Sequence, residues 1–191
     1  VKSVNLLFLL LVASIPALPA ELPAADKKDP ANVLIVVEGS TSLKNPAIAR
    51  GRQLATLLGH FNARARILGV TEYVPRTFSR YSLVVYIGFS ARSTPPARFM
   101  DDVLATRTPM IWMDTGFREF SERPEVKRIF GFTVSHIDSS SNFDEVRGGG
   151  RLFTKGEANI NMVEIADRKR VQVVATALSS KKHWEVPYIV C

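Results

Sequence analysis

Cysteine is almost absent: the 191 residues contain one, at the last position, Cys191. No intrachain disulfide and no cysteine-ligated metal site can be built from it, so packing alone has to hold the fold. Histidine is nearly as scarce. His60, His136 and His183 lie far apart, with no H-x-x-x-H or H-E-x-x-H spacing, and no metal is expected. Neither G-x-G-x-x-G nor G-x-x-x-x-G-K-[ST] occurs, which removes the standard nucleotide fingerprints, so no cofactor is expected. Acidic residues are outnumbered, 18 Asp and Glu against 25 Lys and Arg, for a net charge of +7. The basic residues are scattered, however. Arg168, Lys169 and Arg170 form one cluster and Lys181 and Lys182 another, each reading as a solvated turn, so nucleic acid is not an expected partner.

What the chain does have begins with a leader. Lys2 precedes an unbroken apolar run at 6–12, and small residues follow at 17–20, the order of a secretory signal peptide over 1–20. The run is shorter than the roughly 20 residues that a spanning helix needs, so no stable membrane span is expected after cleavage. No cysteine follows it to carry a lipid anchor. Val1 suggests a bacterial frame opened by a GTG codon, and export then means a secreted or periplasmic protein. Residues 21–31, rich in Pro, Ala, Asp and Lys, read as a linker, leaving 32–191 for one domain.

The domain opens with VLIVV at 33–37, an apolar, β-branched run typical of a strand covered on both faces. Asn45-Pro46 is a helix start, with Ile48, Leu54, Ala55, Leu57 and Leu58 expected to face the sheet and Gly59 to end the helix. Further strands are expected at 65–70, 83–87 and 110–113. Between them a helix opens at Pro95-Pro96, with Asp101 and Asp102 read as early acidic residues favoured by the helix dipole. A short helix spans 124–130. Strands alternating with helices imply a parallel sheet. Beyond Phe132 the rhythm changes: 162–165 and 171–175 flank a polar turn, and 184–190 makes a last strand, an antiparallel β extension.

The segment PMIWMDTGF at 109–117 joins a short strand to a helix through a sharp turn carrying Asp114 and Gly116, the kind of connection that presents a nucleophile. A carboxylate supplies neither thiol nor hydroxyl for acyl transfer. Alternation puts Trp112 and Asp114 on one side, a possible floor and hydrogen-bond acceptor for a sugar ring. His183 and Glu185 form an H-x-E pair, two apart on an expected strand. With Asp114 they make the alternative reading, a hydrolase.

PMIWMDTG resembles the strand and elbow of class I glutamine amidotransferases, with Pro109 and Gly116 matching and Asp114 in the place of the cysteine. SLVVYIG at 82–88 is similar to the strand that leads into that family's oxyanion-hole loop, which makes Gly88 a candidate ligand-binding position. In order along the chain, LLGHF (57–61), YSLVVYIG (81–88), PPARFMDDV (95–103), IWMDTG (111–116), IFGF (129–132) and VPYIV (186–190) resemble the front domain of exported bacterial proteins in which an amidotransferase-like domain precedes a polysaccharide-deacetylase-like barrel. The resemblance implies a flavodoxin-like, class I glutamine amidotransferase-like α/β fold with helices on both faces of a mainly parallel sheet. It also implies a non-catalytic accessory role, envelope polysaccharide as a partner contacted near Asp114, Trp112 and Gly88, and a deacetylase-like domain downstream.

Overall fold

The computed structural model describes residues 29–42, 45–90, 94–157 and 159–191. The expected signal peptide and most of the expected linker lie outside the described residues. Four strands, β1 (Ala31–Val37), β2 (Ala63–Gly69), β3 (Leu83–Ile87) and β4 (Met110–Met113), form a parallel sheet in the order β2-β1-β3-β4. Val33 to Val37 are all at most 2% exposed, which is why β1 is apolar at every position rather than at every second one. Its odd residues and its even residues enter two different cores.

Helix α1 (Pro46–Gly59) covers one face, packing Ala47 and Ile48 on Val33, Ile35, Val37, Val85 and Ile87. Its start is fixed as expected: the Asn45 side chain accepts from the Ala47 N–H at 3.0 Å, and proline holds the first helical position. Leu57 is a correction. It is 54% exposed, because it projects away from the sheet while Leu54, Ala55 and Leu58 carry the contact.

The other face is covered by α2 (Ala97–Ala105), α3 (Phe117–Ser121) and α4 (Pro124–Phe130), which bring Phe99, Phe120 and Val126 onto Leu34, Val36, Val84 and Tyr86. Asp101 and Asp102 do not lie in the first turn of α2. Their work is tertiary: Asp102 accepts from the Tyr73 hydroxyl at 2.6 Å and from the Arg76 N–H, and Asp101 accepts from Arg123 at 2.8 Å. Burial first, and then the bond to Asp102, hold the Tyr73 hydroxyl well above its ordinary pKa.

The antiparallel extension is present, with a pairing that differs from the expected one. β5 (Phe132–Asp138) pairs with β8 (Ile160–Ile165), after the hairpin of β6 (Glu145–Gly148) and β7 (Arg151–Thr154). β9 (Val173–Leu178) and β10 (Glu185–Val190) complete a second sheet, β10-β9-β6-β7. β8 and β9 therefore flank the 167–170 turn without forming a hairpin. The Gly131 carbonyl accepts the N–H groups of Ala166 and Asp167, drawing the turn onto the end of α4, while Gln172 exchanges backbone bonds with Cys191 and commits β9 to β10.

Gly88, just past β3, is the tightest point of the sheet's carboxyl end. A Cβ there would lie 2.3 Å from the Thr115 carbonyl oxygen, whereas one on Gly59 meets nothing within 4 Å. Gly88→Ala is therefore expected to destabilise by about 1–3 kcal/mol or more, and Gly59→Ala to stabilise by up to about 1 kcal/mol, both read from urea unfolding midpoints.

A second prediction concerns pH. Asp144 accepts from the Ser180 hydroxyl and from its N–H at 2.5 and 2.9 Å, tying the segment before β6 to the turn after β9. The hydroxyl bond first, then the backbone bond, hold the carboxyl below its ordinary value. A depressed folded-state pKa contributes stability that is present above the unfolded value, about 3.9, and lost as pH falls through the folded value. Asp144→Asn is expected to be less stable than the parent chain near neutrality, with the gap closing on acidification below about pH 4.

Candidate functional site

In a parallel sheet the strand ends that can open to a ligand are the carboxyl ends, at the point where successive connections leave in opposite directions. Here that point lies between β1 and β3. The loops that meet there follow β1 (Glu38 onward), β3 (Gly88 to Ser90) and β4 (Asp114 to Gly116).

β4 ends at Met113, and the chain then turns sharply: Asp114 has φ 65° and Gly116 φ 85° before α3 begins. The left-handed conformation costs most side chains about 1–2 kcal/mol, less for aspartate, so it persists where neighbours hold it. Three do. The Gly88 N–H donates to the Met113 carbonyl at 3.1 Å, the Trp112 indole to the Thr115 carbonyl at 2.9 Å, and the Asn161 side chain, reaching in from β8, to the Asp114 carbonyl at 2.8 Å.

The Asp114 carboxylate points outward and pairs with Arg50 of α1, both side chains remaining well exposed, at 37% and 50%. Exposed pairs of this kind are worth about 0–1 kcal/mol, so the contact orients the carboxylate more than it stabilises the fold. The same guanidinium lies 5.8 Å from the centre of the Phe89 ring, itself 46% exposed. Tyr188 of β10 donates to Glu157. Burial first, then that bond, raise the Tyr188 pKa, and the negative charge of Asp114 adds to it. For Glu157 burial acts upward, but the Tyr188 bond and Lys155 outweigh it and its pKa is lowered.

The backbone amides beyond β3 have a partner of their own. The N–H groups of Phe89 and Ser90 converge on one oxygen of Glu38, at 2.5 and 2.7 Å. Paired amides beside an elbow are what acyl transfer uses to hold an oxyanion. In this chain they hold an internal carboxylate.

The residues singled out from the sequence therefore divide. Asp114 stands at the elbow, exposed and polar. Trp112 points elsewhere: strand alternation ends at Met113, so it does not carry through to Asp114, and the indole stacks on Phe120 at 5.3 Å and packs on Tyr86 at 4.4 Å, inside the α2–α4 core. Gly88 is filled by its contact with Thr115, and its contribution is the approach of the two loops. His183 and Glu185 do not share a strand face. His183 sits at φ 55° in the turn before β10, its N–H bonded to the Ser179 carbonyl, and Glu185 pairs with Arg147 of β6. Among the described residues no hydrogen bond or ion pair joins either of them to Asp114.

Glu38, Arg50 and Asn161 were not legible as site residues. Glu38 carried one usable signal, the first polar residue past the first buried strand. Arg50 reads as a solvated helix residue and Asn161 as an ordinary strand residue, and each reaches Asp114 only through the tertiary fold. Among the described residues no group of three His, Cys, Asp or Glu could hold a metal ion, and no helix is long and apolar enough to cross a membrane.

No protein-family model matches the chain, and no curated protein does. Among solved structures, the crystal structure of a ThuA-like protein from Parabacteroides merdae is similar over 83% of this chain and 72% of its own, at 15% identity and a TM-score of 0.44. The description of the fold rests on the strand order and layers given above.

The elbow conformation makes its own test. Asp114→Gly loses a weak ion pair and relieves the positive φ, so it is expected to change stability by less than about 1 kcal/mol. Asp114→Val, β-branched at the same φ, is expected to lose about 2 kcal/mol. Urea unfolding of the two variants side by side checks the difference.

Proposed function

We propose that this chain is a non-catalytic accessory domain of an exported, envelope polysaccharide-processing protein, that it contacts glycan across the carboxyl ends of β1, β3 and β4, and that it works beside a deacetylase-like domain. The architecture in this reading is flavodoxin-like and amidotransferase-like: β2-β1-β3-β4 is the order of the first four strands of that sheet, with α1 on one face and α2 to α4 on the other. The deacetylase-like neighbour is drawn from the six ordered motifs alone.

The observation that carries the reading is that the elbow's side chain and the loop's amide pair are both committed to carboxylates. The elbow presents Asp114 rather than a thiol or hydroxyl, and the Phe89 and Ser90 amides are held by Glu38. Acyl transfer has neither its nucleophile nor its oxyanion donors free. What remains suits hydroxyl-rich ligands: a carboxylate with open lone pairs at Asp114, the Arg50 guanidinium, and the exposed ring of Phe89. The hydrolase alternative built on Asp114, His183 and Glu185 gains no contact among its three members.

Calorimetric titration of the chain with cell-wall oligosaccharides, parent against Asp114→Ala, tests the reading. Saturable binding weakened about 10-fold or more in the variant is expected, as for a lost hydrogen bond to a charged group. Equal binding by the two proteins removes Asp114 from the account, and no binding by either removes the glycan.

A further inference from the structure

Two basic segments about 40 residues apart in the sequence converge in space. Lys127 and Arg128 lie in the last turn of α4, Arg168, Lys169 and Arg170 in the 167–170 turn, and Gly131 joins the two. Its carbonyl accepts the Ala166 and Asp167 N–H groups at 2.8 and 2.9 Å, and the Arg170 guanidinium donates to the Arg128 carbonyl at 2.8 Å. Arg170 is accounted for by that cap and by its pair with Asp167 at 3.2 Å. The side chains of Lys127, Arg128, Arg168 and Lys169 are exposed and make no hydrogen bond or ion pair among the described residues. The acids of these elements are Asp167, already engaged, Glu125 in the first turn of α4 and Glu164 near the end of β8, three against the five cations. Helix-dipole compensation explains cations on α4 but not those of the turn.

We propose that this patch is a docking surface for an anionic lipid bilayer. The four cations are all on exposed residues, which suits a partner that is itself an extended array of charge rather than one enclosed small anion. Ile129, 37% exposed, directly follows Arg128 in the last turn of α4. An exposed apolar side chain next to cations fits a partner with an apolar layer beneath a charged one, which a lipid surface has and a soluble polyanion lacks. The patch is built on the far end of α4, separate from the residues around Asp114, so this inference stands independently of the glycan reading.

Co-sedimentation of the full chain with vesicles of phosphatidylcholine alone, and of phosphatidylcholine and phosphatidylglycerol in equal parts, tests it. The apolar run at 6–12 is common to every variant, so the binding that depends on phosphatidylglycerol isolates the patch. Each cation reversed to glutamate is expected to lower that component by about fivefold or more, and raising the salt to weaken it. Lys127→Glu with Arg128→Glu, and separately Arg168→Glu with Lys169→Glu, should each reduce it, so that one misfolded variant does not decide the matter. A control with the same charge change on β2, the edge strand farthest from β4, Arg64→Glu with Arg66→Glu, should bind nearly as the parent does. Ile129→Ser should lower binding to vesicles and leave binding to soluble polyphosphate unchanged. The proposal is overturned by absent phosphatidylglycerol dependence, by an equal loss in the control, or by patch-dependent binding to polyphosphate without binding to vesicles.

Discussion

The carboxyl end of the parallel sheet is organised by one close approach, that of the β3 loop to the turn after β4. Gly88 leaves no room for a Cβ against the Thr115 carbonyl, and its N–H bonds the Met113 carbonyl at the same point. Because the two loops are locked together there, the residue between them, Asp114, is forced through a sharp turn with positive φ and its carboxylate is thrown outward. The antiparallel extension then depends on the same place, since Asn161 reaches from β8 to the Asp114 carbonyl and Tyr188 of β10 lies within the field of its charge. One backbone contact thus ties the α/β core, the elbow and the extension.

Around that contact the polar groups are matched internally. Glu38 occupies the two amides beyond β3, Arg50 neutralises Asp114, and Tyr188 donates to Glu157. Each match commits a polar group to a partner within the chain. The pair between Arg50 and Asp114 is well exposed on both sides and is worth about 1 kcal/mol at most.

The parallel half of the fold was legible because its signals are local. An unbroken β-branched run reports a strand buried on both faces, and Asn45-Pro46 and Gly131 report helix ends through their own backbone chemistry. The extension was legible as β structure but not as pairing. Strand propensity does not say which partner a strand takes, and the 167–170 turn, which reads as a hairpin turn, is instead captured by the Gly131 carbonyl. In the site, Asp114 was legible from the strand–turn–glycine pattern. Trp112 misled because alternation was carried one residue past the end of β4, where the turn breaks it. Glu38 and Arg50 contact residues 51 and 64 positions away and had no local signature of that pairing.

The central claim is that the amide pair beyond β3 is filled by the protein's own carboxylate, the observation on which the proposed contact role of this elbow rests. The most direct measurement is the amide NMR spectrum of the parent chain beside that of Glu38→Gln at neutral pH. The Phe89 and Ser90 amide protons are expected to lie downfield in the parent, as donors to a charged acceptor, and to move upfield together in the variant. Phe89 and Ser90 amide protons that stay in place in Glu38→Gln would contradict it.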